Sequence, residues 1–323
     1  MSPEVVGVGE ILIDFVSTEP VSYVEASTFQ KCFGGAPMNT LVGVSRLGVS
    51  SGAITAVGGD PFGRFLILEL ERNGVDTSQV KVKRKARTTI TFVANEPETG
   101  ERTFLFYREP WISGTADSLL EPDDIDYNYI AGARILHVSG FALSRNPSRK
   151  AVFRAVEYAR EAGVRVSFDP TLRTDVWSST RTLRRTYLRI LRLSDVATFS
   201  REEAEFILGT ADPELAARKA LSYGVDLVGV KLGSEGSMLM TGDGAKLYAP
   251  AFKVRAVDTT GAGDGWNAGL LVGLCRGWNL EDCIKVANAV GALVVTRRGA
   301  ITALPYREEL NRFLEEHGVD FRV

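Results

Sequence analysis

The chain has 323 residues, a mass of 35.2 kDa, a net charge of −2 and 45% hydrophobic residues. The apolar fraction suffices for a large core, and the scattered lysines and arginines argue against a nucleic-acid or membrane surface. Because the chain has two histidines and its three cysteines follow no metal or redox spacing, we expect no multi-histidine metal site, histidine triad or disulfide framework.

The N-terminus lacks the basic start and apolar run of a signal peptide, and no apolar run reaches membrane-spanning length. We therefore expect a cytoplasmic protein with a small-molecule partner, in a reducing compartment that suits free cysteines. The length allows either two domains or one α/β domain with an appendage.

The first predicted strand, from Val5 to Phe15, is an almost continuous apolar run interrupted by Glu10 and Asp14. A carboxylate at the end of such a strand is costly unless it has a function. Residues 16–33 lack helical periodicity and are predicted to be strands or loops outside the main sheet.

Gly7 and Gly9 form part of a dinucleotide-binding fingerprint, but Leu12 stands where its third glycine is required. This departure disfavours a dinucleotide oxidoreductase. The sequence also lacks the P-loop motif and the catalytic loop of protein kinases.

Gly34-Gly35-Ala36-Pro37-Met38-Asn39 leads into an amphipathic helix that is predicted to end near Leu47. The paired glycines let the backbone approach a ligand, and Pro37 suits a first helical turn. Asn39 offers both a donor and an acceptor, as a polyol requires. An ordinary helix start would produce the same letters.

A strand over residues 51–57 and a helix that ends at Asn73-Gly74 are predicted next. Arg87 to Ala94 and Arg102 to Tyr107 then alternate with threonines and aromatics on either side of the turn-like Glu96–Gly100. This pattern predicts a β-hairpin.

From Arg134 onward, short apolar strands alternate with helices, which predicts a mostly parallel sheet covered by helices on both faces. Ligands bind at the carboxyl ends of the strands of such a sheet, where Asp169-Pro170-Thr171-Leu172-Arg173 is expected. Arg173 suits either a substrate carboxylate or phosphate, or a salt bridge that closes a loop.

Ser200 and Glu203 start a helix directly after a strand, with the spacing of a capping box. A strand from Asp226 to Lys231 then leads into the turn Gly233-Ser234-Glu235-Gly236. Three short strands are predicted between that turn and Val257.

The stretch Asp258-Thr259-Thr260-Gly261-Ala262-Gly263-Asp264 precedes an apolar helix. The amides of Gly261, Ala262 and Gly263 are expected to converge at the helix N-terminus, where they favour an anion. Asp264 is placed to take a proton from a hydroxyl that attacks a phosphoryl group. A glycine-rich turn capped by an aspartate is the alternative interpretation.

The two glycine stretches resemble, in order and spacing, the paired signatures of the PfkB family of carbohydrate kinases, from Gly9 to Asn288. The resemblance implies an α/β, ribokinase-like fold, with a mostly parallel central sheet, helices on both faces and a small β-strand lid. It implies one kinase domain over residues 1–323, with lid strands from about 15–33 and 87–108. It also implies a homodimer formed through those lid strands.

The resemblance further implies ATP and Mg²⁺ as cofactors and assigns roles to individual residues. Asp264 would be the general base, with Gly261, Ala262 and Gly263 at the transferring phosphoryl group. The substrate would be bound by Asp14, Gly34, Gly35, Asn39, Arg108 and Arg173, and ATP by Lys231, Gly233, Gly236 and Asn288. Glu203 would organise Mg²⁺ through water, and because family members often carry a K⁺ site beside this loop, Asp258 is the candidate K⁺ ligand.

The resemblance therefore implies ATP-dependent phosphorylation of a small sugar. The run from Gly9 to Phe15 and the Phe106-Tyr107-Arg108 stretch look like those of a fructokinase, whereas Arg108 together with Arg173 would equally serve the carboxylate of 2-keto-3-deoxygluconate. The segment Glu109–Asp117 is longer than its counterpart in fructokinases. A non-catalytic sugar or nucleotide sensor on the same fold is the alternative from another functional class.

Overall fold

The computed structural model describes residues 2–19, 21–95, 102–108 and 110–323. The strands are β1 (Val5–Val8), β2 (Leu12–Ser17), β3 (Phe29–Gly34), β4 (Ser51–Gly58), β5 (Val75–Asp76), β6 (Val80–Lys83), β7 (Ile90–Asn95), β8 (Arg102–Tyr107), β9 (Ile135–Ser139), β10 (Arg165–Asp169), β11 (Val196–Ser200), β12 (Leu227–Lys231), β13 (Ser237–Thr241) and β14 (Lys246–Ala249). The helices are α1 (Ala36–Arg46), α2 (Pro61–Arg72), α3 (Tyr127–Ala131), α4 (Ser148–Glu161), α5 (Thr180–Leu191), α6 (Arg201–Leu208), α7 (Pro213–Leu221), α8 (Ala262–Arg276), α9 (Leu280–Val295), α10 (Ala300–Ala303) and α11 (Arg307–Glu316).

A ten-stranded sheet forms the centre of the molecule, in the order β14-β13-β12-β11-β10-β9-β1-β4-β5, with β6 also paired to β4. The pairs from β4 through β1, β9, β10 and β11 to β12 are parallel, and only β13 and β14 join antiparallel. The expected mostly parallel sheet is confirmed.

Helices cover both faces of this sheet, as predicted. On one face of the sheet, Val6 and Val8 of β1 pack into a core with α3–α7. On the opposite face, Val5 of the same strand packs against α1, α2 and α8–α11. Because neighbouring side chains of a strand point to opposite faces, two apolar layers explain why the strand sequences read as continuous apolar runs.

A separate four-stranded sheet, in the order β3-β2-β7-β8, lies over the carboxyl ends of β10, β11 and β12. We call it the lid. β7 and β8 pair antiparallel, so the predicted hairpin is confirmed, although its predicted turn at Glu96–Gly100 lies outside the described residues. Along β8, Arg102, Phe104 and Phe106 face a cavity beneath the lid, whereas Leu105 and Tyr107 are exposed on its outer side.

Two predictions about strands were wrong. The run from Val5 to Phe15 is not one strand, because the chain leaves β1 after Val8 and enters the lid as β2 at Leu12. Residues 5–13 are all buried and run through the break, so hydrophobicity carries no signal of the passage from one sheet to the other. Between Gly236 and Val257 the structure has two strands, β13 and β14, where three were predicted.

In the described part of the chain, no helix has the combination of length and apolar character needed to cross a bilayer.

Candidate active site

A cavity of about 1010 Å³ lies between the lid and the carboxyl ends of the central strands. The parallel strands β10, β11 and β12 end there at Asp169, Ser200 and Lys231, which all line the cavity. The lid contributes Asp14 and the inner face of β8. This position is the one at which open α/β sheets bind ligands.

The loop before α8 enters the cavity with unpaired amides. Gly261 is the N-cap of α8 with φ 78°, and a Cβ at this position would lie 2.9 Å from Ala300 Cα, so both the backbone angle and the space require glycine. The N–H groups of Gly261 and Gly263 have no hydrogen-bond partner among the described residues, whereas Ala262 N donates to Thr259 O at 3.2 Å. Two of the three predicted amides are thus free to receive an anion.

Asp264 lies in the first turn of α8 and lines the same cavity. Burial raises the pKa of its carboxyl to about 7, against the hydrogen bond from Asn39 and the charges of Lys231 and Arg173, which lower the pKa. A carboxylate whose pKa lies near neutrality suits a general base at physiological pH.

Asn39 reaches Asp264 from the neighbouring helix α1. Its Nδ2 donates to Asp264 Oδ2 at 2.8 Å, while its buried Oδ1 has no protein partner within the described residues. The helices approach closely because Gly43 faces Ala268, where an added Cβ would come within 2.6 Å of the alanine Cβ. The free Oδ1 is an acceptor available to a ligand hydroxyl.

Asp14 enters the cavity from β2, below the lid. Burial raises the pKa of its carboxyl to about 7, and the nearby Arg173 and Arg102 lower it. A Cβ at Gly34, on the paired strand, would lie 2.5 Å from Asp14 Oδ2. Gly35 has φ 115° and no room for a Cβ beside the backbone of Glu10. The absence of a side chain at Gly34 leaves room for the Asp14 carboxylate. The absence of one at Gly35, which lines the cavity, allows the backbone to turn beside Glu10.

Beside the loop before α8, one lysine faces three carboxylates. Lys231 Nζ pairs with Asp169 Oδ2 at 2.6 Å, and the charges of Asp169, Glu203 and Asp264 raise the pKa of Lys231 against the effect of its burial. Although burial opposes it, Lys231 also holds the pKa of Asp169 below its ordinary value. The excess of negative charge fits a divalent cation carried by a phosphate ligand.

Glu203 forms the capping box that the sequence allowed. Its carboxylate accepts hydrogen bonds from Ser200 N at 2.7 Å and Leu172 N at 3.1 Å. Burial and the charge of Asp169 raise its pKa. Glu203 also lines the cavity. It therefore holds the Asp169–Arg173 loop in place and keeps acceptor positions for a hydrated metal ion.

Asp258 lies at the start of the loop and is nearly enclosed. Its carboxylate accepts hydrogen bonds from Thr260 N at 2.9 Å, Gly299 N at 2.8 Å and Arg102 Nη2 at 2.9 Å. Although burial opposes it, these donors lower the pKa of Asp258. A hydrogen bond from the Thr260 side chain also lowers this pKa, so most of the roughly four acceptor positions of the carboxylate are used by protein donors.

Asn288 lines the cavity with its hydrogen-bonding capacity already used. Its Oδ1 accepts from Ser237 Oγ at 2.6 Å and Trp266 Nε1 at 2.9 Å, and its Nδ2 donates to the carbonyls of Ala249 and Pro250. Asn288 thus shapes the wall rather than offering free polar atoms. Nearby, Gly233 and Gly236 line the same end, where Gly236 has φ 111° and no room for a Cβ beside Ala249 O.

Arg173 and Arg108 differ in their surroundings. Arg173 lines the cavity with its guanidinium 4.5 Å from the ring centre of Phe104. Arg108 is fully buried, donates to Asp117 Oδ2 at 2.7 Å and to Ser144 Oγ at 2.6 Å, and does not line the cavity. The structure therefore places Arg108 in a buried ion pair with Asp117 and not along the cavity wall where the substrate contact was predicted.

Glu10, Arg102 and Thr260 are among the cavity residues to which sequence reasoning assigned no role. Glu10 is 2% exposed, accepts hydrogen bonds from Ala36 N and Ser139 Oγ, and has its pKa raised by burial to about 7. Its position in an apolar run was the available signal. Arg102 had none, because an arginine at the start of an edge strand is ordinary.

Comparisons with known proteins agree with this geometry. The family model described as "pfkB family carbohydrate kinase" matches residues 2–307. "Probable fructokinase-7" of Arabidopsis thaliana is 40% identical over 321 residues, which cover 96% of this chain and 92% of that protein. A fructokinase double mutant from Vibrio cholerae O395, solved with fructose, ADP and potassium ion, has a TM-score of 0.86 at 35% identity and covers 97% of this chain and 99% of its own. The structure described as "a putative Ribokinase II in complex with ATP and Mg+2 from E.coli" has a TM-score of 0.88 at 28% identity. The match covers 98% of this chain and 100% of that chain. The expected ribokinase-like fold is thereby confirmed.

Proposed function

The chain belongs to the pfkB family of carbohydrate kinases, and from this premise we propose that it transfers the γ-phosphoryl group of ATP to a hydroxyl of fructose. The observation that carries the proposal is the meeting of Asp264, Asn39 and the free amides of Gly261 and Gly263 in one cavity. The names of the fructokinases similar to this chain support fructose as the sugar.

The reaction follows from the positions of these groups. Asn39 Oδ1 and Asp14 hold sugar hydroxyls, and Asp264 takes the proton of the hydroxyl that attacks. That oxygen forms a bond to the γ-phosphorus as the bond from phosphorus to the bridging oxygen of ADP breaks. The electron pair leaves with ADP, and the amides of Gly261 and Gly263 stabilise the charge of the transferring group.

We assign ATP to the end of the cavity where β12 ends. Lys231 supplies a cation for phosphate oxygens, the turn at Gly233 and Gly236 lets the backbone approach the nucleotide, and Asn288 shapes the wall. Mg²⁺ would be held by phosphate oxygens and, through water, by Glu203 beside Asp169, where it supplies charge neutralisation for phosphoryl transfer. K⁺ beside Asp258 stays a prediction.

Fructose is favoured over 2-keto-3-deoxygluconate by the position of Arg108. A sugar-acid carboxylate would require a cation in the sugar half of the cavity. Arg108 is buried against Asp117, which leaves Arg173 from the predicted pair. Arg102, which also lines the cavity, is paired with Asp258, and Arg173 stacked on Phe104 suits a neutral polyol at least as well as an acid.

We further propose that residues 1–323 work as one kinase domain with its lid, in the cytoplasm, and as a homodimer through the lid strands. The free cysteines Cys32, Cys275 and Cys283 suit a reducing compartment. Leu105, 46% exposed, and Tyr107, 39% exposed, give the outer side of β8 apolar surface for a second copy.

A coupled assay for ADP release tests the function. With ATP and Mg²⁺, we expect turnover with fructose and much less with 2-keto-3-deoxygluconate. If 2-keto-3-deoxygluconate were the better substrate and Arg173→Ala abolished only that activity, the fructose assignment would be wrong. Sugar binding without ADP release would instead identify a sensor.

A further inference from the structure

Among the described residues, Arg102 at the start of β8 is the lid side chain that donates hydrogen bonds to residues 258–263, the loop before α8, which we call the amide loop. We infer that Arg102 is a positioning residue: the lid carries its guanidinium onto Asp258 and Thr260, and this contact sets the amides before α8 for phosphoryl transfer. The inference rests on the proposed function, because it assigns the loop a role in that reaction.

The contact has two parts. Arg102 Nη2 lies 2.9 Å from Asp258 Oδ2, and Nη1 donates to Thr260 Oγ1. The side chain of Arg102 is 24% exposed and that of Asp258 is 2% exposed, so the pair closes over a nearly buried carboxylate. A guanidinium that donates to two residues of one segment fixes both the distance and the orientation of that segment.

Asp258 passes this restraint on to the amides. Its Oδ1 accepts Thr260 N at 2.9 Å, and its Oδ2 accepts Gly299 N at 2.8 Å. The carboxylate therefore ties the loop before α8 to the start of α10. Gly261 comes directly after Thr260 and lies close to Ala300, the first residue of α10. A shift of Asp258 would therefore also move the amides of the loop that face the cavity.

Charge makes the contact depend on the lid. Among the described residues, Arg102 is the basic side chain that forms an ion pair with Asp258. If the lid lifts, the nearly buried carboxylate loses that partner, which is unfavourable. Closure of the lid restores the pair and the loop position together.

A second contact crosses the cavity in the opposite direction. Arg173, from the central body, stacks on Phe104 of the lid at 4.5 Å. Phe104 and Arg102 share the inner face of β8, so the two cations hold the strand at two points. Of these two contacts, only that of Arg102 reaches the amide loop. Replacing Arg102 should therefore disturb the position of the amides, whereas replacing Arg173 should not.

The test compares Arg102→Ala with Arg102→Lys. We expect Arg102→Ala to lower kcat by roughly 10-fold to 100-fold, the cost of a small misplacement of catalytic groups. The sugar KM should also rise. Arg102→Lys, which keeps the charge, should recover part of kcat, and guanidinium ion added to Arg102→Ala should recover more than NaCl at equal ionic strength.

Lys31→Ala is the matched control. Lys31 is also a cation of the lid, but it is exposed and lies over Phe65, 3.7 Å from the ring centre. We expect its kinetic constants to match the wild type. An unchanged kcat in Arg102→Ala overturns the inference, as does a rise in sugar KM alone, which would make Arg102 a simple substrate contact.

A readout without turnover separates this inference from the proposed function. We expect hydrogen exchange in peptides that span Thr260 to Gly263 to be faster in Arg102→Ala than in the wild type or Lys31→Ala. If the wild type phosphorylated no sugar but exchange in this loop were still faster in Arg102→Ala, the proposed function would be refuted and the control of the loop by Arg102 would stand. Unchanged exchange in the Arg102→Ala loop would refute the positioning role alone.

Discussion

The side-chain amide of Asn39 donates to the carboxylate of Asp264 at 2.8 Å, although 225 positions of sequence separate them. The bond holds one carboxylate oxygen and leaves the other free for a substrate proton. It also lowers the pKa of Asp264 against the effect of burial, which keeps the base ionised near neutral pH.

Asp264→Asn should remove the general base. We expect kcat to fall by roughly 10²-fold to 10⁴-fold, because an amide cannot accept the hydroxyl proton. The coupled ADP assay measures the loss. Asp320→Asn, an exposed position near the C-terminus, is the control and should leave kcat unchanged. A fully active, folded Asp264→Asn protein would contradict the mechanism.

Asn39→Ala should shift the pH profile. The wild-type rate should rise with pH through the pKa of Asp264, about 7, because the ionised form is the base. The Asn39 hydrogen bond lowers this pKa, so its loss should move the rising limb to higher pH. The measurement is kcat/KM for fructose from pH 5.5 to pH 9. A limb that stays in place would show that another group titrates.

Gly261→Ala and Gly277→Ala form a matched pair at the two ends of α8. Both positions have positive φ, 78° and 69°, but only a Cβ at 261 meets a backbone atom within 3 Å. We expect Gly277→Ala to cost about 1 kcal/mol of stability with unchanged kcat. Gly261→Ala should lose more stability and most of its activity. Urea unfolding and the ADP assay measure the two effects, and equal behaviour would contradict the assignment.

Glu10→Gln should weaken the pH dependence of stability. The folded-state pKa of Glu10 is raised to about 7, so the folded protein binds this proton more tightly than the unfolded chain does. Its stabilisation is complete below the unfolded pKa and is lost as pH rises through 7, by at most about 1.4 kcal/mol per pH unit. Melting temperatures at pH 6 and pH 8 should therefore differ less in Glu10→Gln than in the wild type.

Arg108→Ala should act on stability. Removing the guanidinium leaves Asp117 buried without its partner, which typically costs about 3–5 kcal/mol. Arg154→Ala, which breaks an exposed pair with Glu157, should cost less than about 1 kcal/mol. Chemical denaturation compares the two. If Arg108→Ala kept its stability but lost sugar affinity, the original substrate role would be restored.

Local sequence patterns were sufficient to predict the helix starts that follow glycines and the class of the central sheet. Asp264, Asn39 and the glycines between Asp258 and Asp264 stood out because each glycine stretch precedes a helix, and the resemblance to the PfkB family, rather than the pattern alone, gave them their roles. The mostly parallel sheet followed from the alternation of short apolar strands with helices.

Prediction failed where the answer depended on long-range placement. Burial on both sides hides the passage from β1 into β2, so Val5 to Phe15 read as one strand. Arg108 was assigned to substrate binding by resemblance and Arg102 was assigned no role, and only the assembled structure shows the ion pair of Arg108 with Asp117 and the contact of Arg102 with Asp258. No spacing rule in the sequence encodes that difference.

The alternation along β8 limits how this chain can change in length. Phe104 and Phe106 face the cavity only because they differ by an even number of positions from Arg102. One inserted residue within the strand would send both rings outward and bring Leu105 and Tyr107 against the sugar. Insertions and deletions in homologues should therefore fall in the connection between β7 and β8, where strand parity is preserved.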